Sequence, residues 1–111
     1  MRPFSKYRAH ALHFDGIRFA SRKEAARYQV LRLMEKSGKI SDLQLQPRFE
    51  LQPKFEKNGV KYRSIEYRAD FQYTMNGRTV IEDVKGMILP EFRLKQKLFE
   101  FIYKDMTLTI S

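Results

Sequence analysis

The chain has 111 residues, enough for one compact domain, so residues 1–111 are expected to form a single unit with residues 1–9 as a basic arm. Hydrophobic residues make up 42%, with nine Phe and six Tyr, which supports a packed core and argues against disorder. It has no cysteine, which excludes disulfides, thiolate catalysis and Cys-based zinc sites; 22 Lys and Arg against 13 acids, a net charge of +9, point to a polyanionic partner, nucleic acid first.

No apolar run approaches the roughly 20 residues that a membrane span needs. The basic N-terminus leads into no apolar segment, so no signal peptide is expected, and a cytoplasmic location fits the cysteine-free composition.

In chain order, MRPFSKYR interleaves Arg2, Lys6 and Arg8 with Phe4 and Tyr7, a mixture suited to phosphate contact and base stacking; a frayed terminus reads equally well. His10 to Phe14 and Ile17 to Ala20 flank Asp15-Gly16, the mark of a tight hairpin. Ser21 with Glu24 three residues on forms a capping box. Ala25, Tyr28, Leu31 and Met34 then recur at helical spacing, and Gly38 is the stop, so a first helix is predicted at about 21 to 37.

Three strands follow. Phe49, Leu51 and Phe55 lie in an extended stretch broken by Pro47 and Pro53, and Asn58-Gly59 is a second tight turn. Ile65, Tyr67, Ala69, Phe71 and Tyr73 alternate with Glu66, Arg68, Asp70 and Gln72, a strand with two distinct faces. Asn76-Gly77 turns it back into a strand containing Val80, Ile81 and Val84. Gly86 and Pro90 end the sheet and open a second helix with Phe92, Lys95 and Phe99 on one side, and Leu108 and Ile110 mark a last strand. The predicted class is α/β: helix, three-stranded meander, helix, strand, the last strand pairing in parallel so that the sheet is mixed.

A two-residue turn at Asn76-Gly77 pairs Met75 with Arg78 and carries Asp70 to a position opposite Asp83. Directly opposed Cβ atoms sit about 4.5–5.5 Å apart, and two carboxylates there repel. A divalent cation reverses that sign. Lys85 emerges on the same face, about 6.6 Å along the strand. Two acids and an ammonium group could thus hold a metal, activate a water and stabilise charge on a phosphate. The alternative is a surface salt bridge between Asp70 and Lys85, with Asp83 solvated and Arg68, opposite Lys85, also neutralising the acids. Glu82 falls on the other face, toward Phe71, where a buried acid needs a partner. His10 and His13, the only histidines, face opposite sides of a strand and make a poor chelating pair.

Asp70 followed by Asp83-Val84-Lys85 resembles the PD-(D/E)XK signature of restriction-endonuclease-like nucleases, with Ala69 in place of the proline. Nearly the whole chain is similar to small phage-borne nuclease domains of that superfamily, through FASRKEAARY, GKISDLQLQPRFEL, YRADFQY, IEDVKG and FRLKQKLF. The resemblance implies a restriction-endonuclease-like core and Mg²⁺-dependent hydrolysis of DNA, with Mn²⁺ as substitute, in phage recombination, replication or processing, with Holliday junctions among the possible substrates. It implies metal ligation by Asp70 and Asp83, catalysis by Lys85, and a first-helix acid, Glu24, as third ligand; the capping role competes for Glu24. Lys95 or Lys97 on the second helix is expected to face the same cleft and touch DNA. Paired cuts need two sites, so a homodimer on DNA is expected, with Phe14 and Phe19 as interface candidates. A non-catalytic DNA-binding module and a phage replication or packaging adaptor are the competing functions.

Overall fold

Asp15 and Gly16 both take positive φ, 55° and 75°, the conformation that a two-residue hairpin requires. They join β1 (His13–Phe14) to β2 (Ile17–Arg18), with Phe14 opposite Ile17. This is the start of the chain as the computed structural model describes it, residues 13–111; Arg2, Lys6, Arg8 and His10 lie outside the described residues.

Helix α1 (Arg22–Lys36) begins where Ser21 Oγ accepts the backbone N–H of Glu24 at 3.1 Å. It ends in a Schellman motif, with Gly38 N donating to Glu35 O and Lys39 N to Met34 O, and Gly38 at φ 82°. Ala25, Tyr28 and Leu31 are buried, as their spacing predicts. Phe19 is buried too, 5.0 Å from the Tyr28 ring, and Phe14 meets Tyr28 edge-on. Phe19 serves the domain's own core, which removes it as an interface residue, whereas Phe14 stays exposed.

The strands are β3 (Ser41–Leu45), β4 (Arg48–Gln52), β5 (Phe55–Lys57), β6 (Val60–Tyr62), β7 (Ile65–Arg68), β8 (Phe71–Met75) and β9 (Arg78–Asp83). After them come helix α2 (Pro90–Ile102) and β10 (Thr107–Ile110). The main sheet runs β10-β9-β8-β3, with β10 parallel to β9 and the other pairs antiparallel, so the described residues form an α/β fold with a mixed sheet and two helices. Among the described residues no helix is long and apolar enough to cross a membrane.

Two expectations change. The strand beside β8 is β3, which is not among the predicted strands; the stretch around Phe49 instead pairs with β7. The predicted strand from 65 to 73 is also interrupted. Gln46 N donates to Asp70 O and Ala69 N to Pro47 O, two consecutive pairs, whereas a regular antiparallel ladder bonds only alternate ones. Gln46, at φ 53°, and Pro47 bend the opposing strand at the same level. The break exchanges faces. Phe71, Tyr73 and Val80 pack with α1, while Tyr67, Ala69 and Ile81 pack with Phe49, Phe92 and Phe99 on the α2 side.

Candidate active site

The β8–β9 turn has Asn76 and Gly77 at φ 53° and 76°, and Met75 pairs with Arg78. The register runs as expected to Phe71 opposite Glu82, then stops one pair short of Asp70 and Asp83. Asp70 N donates to Glu82 O instead, and Asp70 Oδ2 accepts the backbone N–H of Val84 at 2.7 Å. The acids therefore meet through the break in the strand and not as a regular cross-strand pair.

Asp83 is 1% exposed. The Tyr67 hydroxyl donates to its Oδ2, and Lys85 Nζ stands 3.4 Å from its Oδ1. In a regular strand Tyr67 would lie on the α1 face; the exchange at Ala69-Asp70 brings it to Asp83. Sequence reasoning missed this contact because periodicity cannot show a bulge. Burial, then the hydrogen bond to Asp83, push the Tyr67 phenol well above its usual range. A surface salt bridge between Asp70 and Lys85 does not describe this site: the lysine pairs with Asp83, and Asp83 is buried. Arg68 sits opposite Arg48 on β4, not opposite Lys85, because β9 has ended.

Asp70 is pushed up to about 7, mainly by burial, and further by the neighbouring Asp83 and Glu24 carboxyls; only the Val84 N–H pulls it down. Glu24, buried on the first turn of α1, is raised by burial and by Asp83, against hydrogen bonds from the Ala20 backbone and Asp70. Its backbone N–H serves the Ser21 cap, while its carboxyl lies toward Ala20 and the acid pair, so the carboxyl bond to the Ser21 N–H that a full capping box requires is not the one observed. Among the described residues no group of three acidic or histidine side chains forms a ready-made metal cage. Mg²⁺ does not require one: it keeps several waters and takes one or two carboxylates plus substrate phosphate. A hard-oxygen donor set in which burial and neighbouring carboxyls raise one acid fits such an ion, whose charge would favour the ionised form. Asp70 and Asp83 would hold it, with Glu24 beside them.

The Asp70 shift has a measurable sign. Its folded value lies above its unfolded one, so the folded protein binds this proton more tightly, and stability falls as pH rises from about 4 to about 7. Above that the penalty is complete, and solvent screening of this partly exposed carboxyl holds it to about a few kcal/mol. Asp70→Asn keeps the oxygen that accepts the Val84 N–H. In EDTA it should melt several degrees above wild type at pH 8 and level with it near pH 4, by calorimetry. Mg²⁺ should stabilise wild type and not the variant. Equal melting at pH 8 would remove the strained acid cluster.

Tyr67 and Lys85, the two residues that contact Asp83, line a cleft of about 470 Å³ together with Arg68, Leu89, Phe92 and Lys95 among others. Lys85 Nζ lies 4.7 Å from the Phe92 ring centroid, and Lys95 is 3.6 Å from Glu91. Lys95 is therefore the α2 lysine on the cleft; Lys97 is exposed and outside its lining. Pro90 at the first turn of α2 and the buried Phe92 and Phe99 fix that helix against the sheet, which sets this wall.

On the α1 face Glu82 is fully buried. Arg27 Nε and Nη2 donate to it at 2.5 and 3.1 Å, the Tyr73 hydroxyl at 2.7 Å and Ser111 Oγ at 2.9 Å. Burial pushes this carboxyl up, but the four hydrogen bonds outweigh it and hold it below its usual range. Arg27 is the partner that the sequence could not name. An arginine at helical spacing from Lys23 and Leu31 was the only signal.

No curated protein and no solved structure matches the chain. Residues 4–111 match a family described as Protein of unknown function (DUF1064). Since that match spans nearly the whole length, the chain belongs to the DUF1064 family.

Proposed function

We propose that this protein is a metal-dependent deoxyribonuclease with a restriction-endonuclease-like core. The observation that carries this reading is the meeting of Asp70 and Asp83, with Lys85 on the second acid, at the edge of a cleft bearing Arg68 and Lys95. The helix, antiparallel strands, helix and parallel closing strand occur in the order that such a core has. Mg²⁺ held by the acids would supply an activated water and polarise a phosphoryl oxygen.

The chain's own groups divide the remaining work. Tyr67 fixes the Asp83 carboxylate by donating to one oxygen. The Val84 N–H does the same for Asp70. Lys85, held between Asp83 and the Phe92 ring, places an ammonium group to orient the attacking water or to neutralise charge developing on the phosphate. Arg68 and Lys95 grip the flanking phosphates. Symmetric paired cuts would need a second copy.

The test is incubation with Mg²⁺ and branched, single-stranded and linear duplex DNA, beside the alanine variants argued in the Discussion. Binding without turnover on every substrate would favour the non-catalytic DNA-binding module. A net charge of +9 also makes phosphate contacts the main source of affinity. The logarithm of affinity should fall linearly with the logarithm of salt, by about 0.9 per phosphate contacted. A flat response in a fluorescence titration would sink the nucleic-acid reading and revive the adaptor.

A further inference from the structure

Strands β5 and β6 form a two-stranded ribbon by themselves, joined to no other strand among the described residues. Every residue in them is exposed. An isolated hairpin of this size is only marginally stable in water. This one is fastened by its turn, with Asn58 and Gly59 at φ 52° and 78°, and by Phe55 stacked on Tyr62 at 4.7 Å and 12°. Phe55, Val60 and Tyr62 are 43%, 49% and 47% exposed. Phe55 pairs with Tyr62 and Lys57 with Val60, so these apolar groups share one face of the ribbon.

The surrounding charge is one-sided. Residues 54–63 hold Lys54, Lys57, Lys61 and Arg63 against the single acid Glu56. The ribbon is also the distal end of the β4–β7 arm, whose base supplies Glu66, Tyr67 and Arg68 to the active-site cleft. At about 3.3 Å per residue, the eight steps from Arg68 to Val60 span roughly 26 Å, the rise of about eight base pairs.

We infer that the β5–β6 ribbon is a duplex DNA-binding element, gripping the double helix about eight base pairs from the bond cut in the cleft. This rests on the nuclease reading of the cleft. A two-stranded ribbon fits a DNA groove, the cations meet the phosphate walls, and an apolar face suits the groove floor. A ribbon of this charge repels basic protein surfaces, gains nothing electrostatically from neutral ones, and is drawn to a phosphate lattice, which presents one negative charge every 1.7 Å of axis.

The test compares wild type with the triple variant Lys54→Ala/Lys61→Ala/Arg63→Ala, which leaves the turn and the Phe55–Tyr62 stack intact. Affinity is read by fluorescence anisotropy in EDTA, and cleavage in Mg²⁺ at saturating DNA. Duplexes of 10 and 30 base pairs carry the same central cleavage position. Wild type should bind the longer duplex more tightly, whereas the variant should gain little from length. Its salt slope on the 30-mer should be shallower by roughly 2 to 3. Cleavage of bound DNA should be unchanged. Equal affinity and slope for the two proteins would overturn the ribbon's role and leave the nuclease reading standing. Tight, ribbon-dependent binding with no cleavage would do the reverse. Failure of wild type to bind either duplex would overturn the assignment and turn the ribbon toward an acidic protein surface.

Discussion

Asp70→Ala, Asp83→Ala and Lys85→Ala should each abolish Mg²⁺-dependent DNA cleavage while DNA binding in EDTA survives. The three losses have different causes. Asp83→Ala removes the acid that Tyr67 and Lys85 both contact, so the donor set and the lysine's position go together. Asp70→Ala frees the Val84 N–H and removes the acid that most needs a cation. Lys85→Ala leaves both carboxylates in place to hold an ion and removes the ammonium group. It should therefore retain metal-induced stabilisation, with turnover lower by about 10² to 10⁴, the usual range for one proton-transfer or electrostatic group. Binding should weaken by no more than one phosphate contact, because Arg68 and Lys95 remain on the cleft wall. Single-turnover gel assays give the cleavage rates and calorimetry with and without Mg²⁺ gives the metal effect. Any of the three variants cutting at the wild-type rate would refute the assignment.

Turn chemistry and periodicity made much of this fold legible in the sequence. Asp15-Gly16, Asn58-Gly59 and Asn76-Gly77 each adopt the doubly positive φ that their composition predicts. The last of these carries the β8–β9 register to within one pair of the acids. The Ser21 cap, the Ala25, Tyr28 and Leu31 stripe, the Phe92 and Phe99 face and the parallel closing strand follow from side-chain spacing and connection rules alone. What was hidden is the conformation at Ala69-Asp70. Strict alternation from Ile65 to Tyr73 reads as one continuous strand, yet the chain breaks in its middle. The bend at Gln46-Pro47 that accompanies the break arises from tertiary pairing. Alternation alone therefore places Tyr67 in the other layer and Arg68 beside a different neighbour, and β3 is hidden in SDLQL, whose exposed residues give a weak pattern.

The Glu82 network is expected to carry the largest single share of stability of any polar group among the described residues, and Arg27→Met should expose it. The substitution keeps the aliphatic stem but leaves a fully buried carboxylate with only the Tyr73 and Ser111 hydroxyls as donors. Breaking a buried ion pair from one side costs about 3–5 kcal/mol. In a domain of this size that lowers Tm by roughly 10–25 °C. The pH dependence gives the cause. In wild type the carboxyl's folded value is depressed, so its contribution is present above the unfolded value near 4.5 and is lost as pH falls through the folded one. Without Arg27 the burial that opposes ionisation dominates, the folded value rises above the unfolded one, and the sign reverses. The variant's deficit should therefore be greatest at pH 7 to 8 and shrink toward pH 4, where Glu82 can take up a proton. Arg27→Met/Glu82→Leu removes both charges and should recover most of the loss. Melting curves across that pH range decide the matter, and a deficit independent of pH would mean that Arg27 acts by packing alone. The network also reaches the candidate site. Ser111, whose Oγ holds Glu82, donates its N–H to Asp83 O and accepts from Lys85 N, so it brackets the two residues on which cleavage is expected to depend. At temperatures where Arg27→Met remains folded, its cleavage rate should therefore fall as well, while the double variant, with no buried charge left to reorganise, should cut more nearly like wild type.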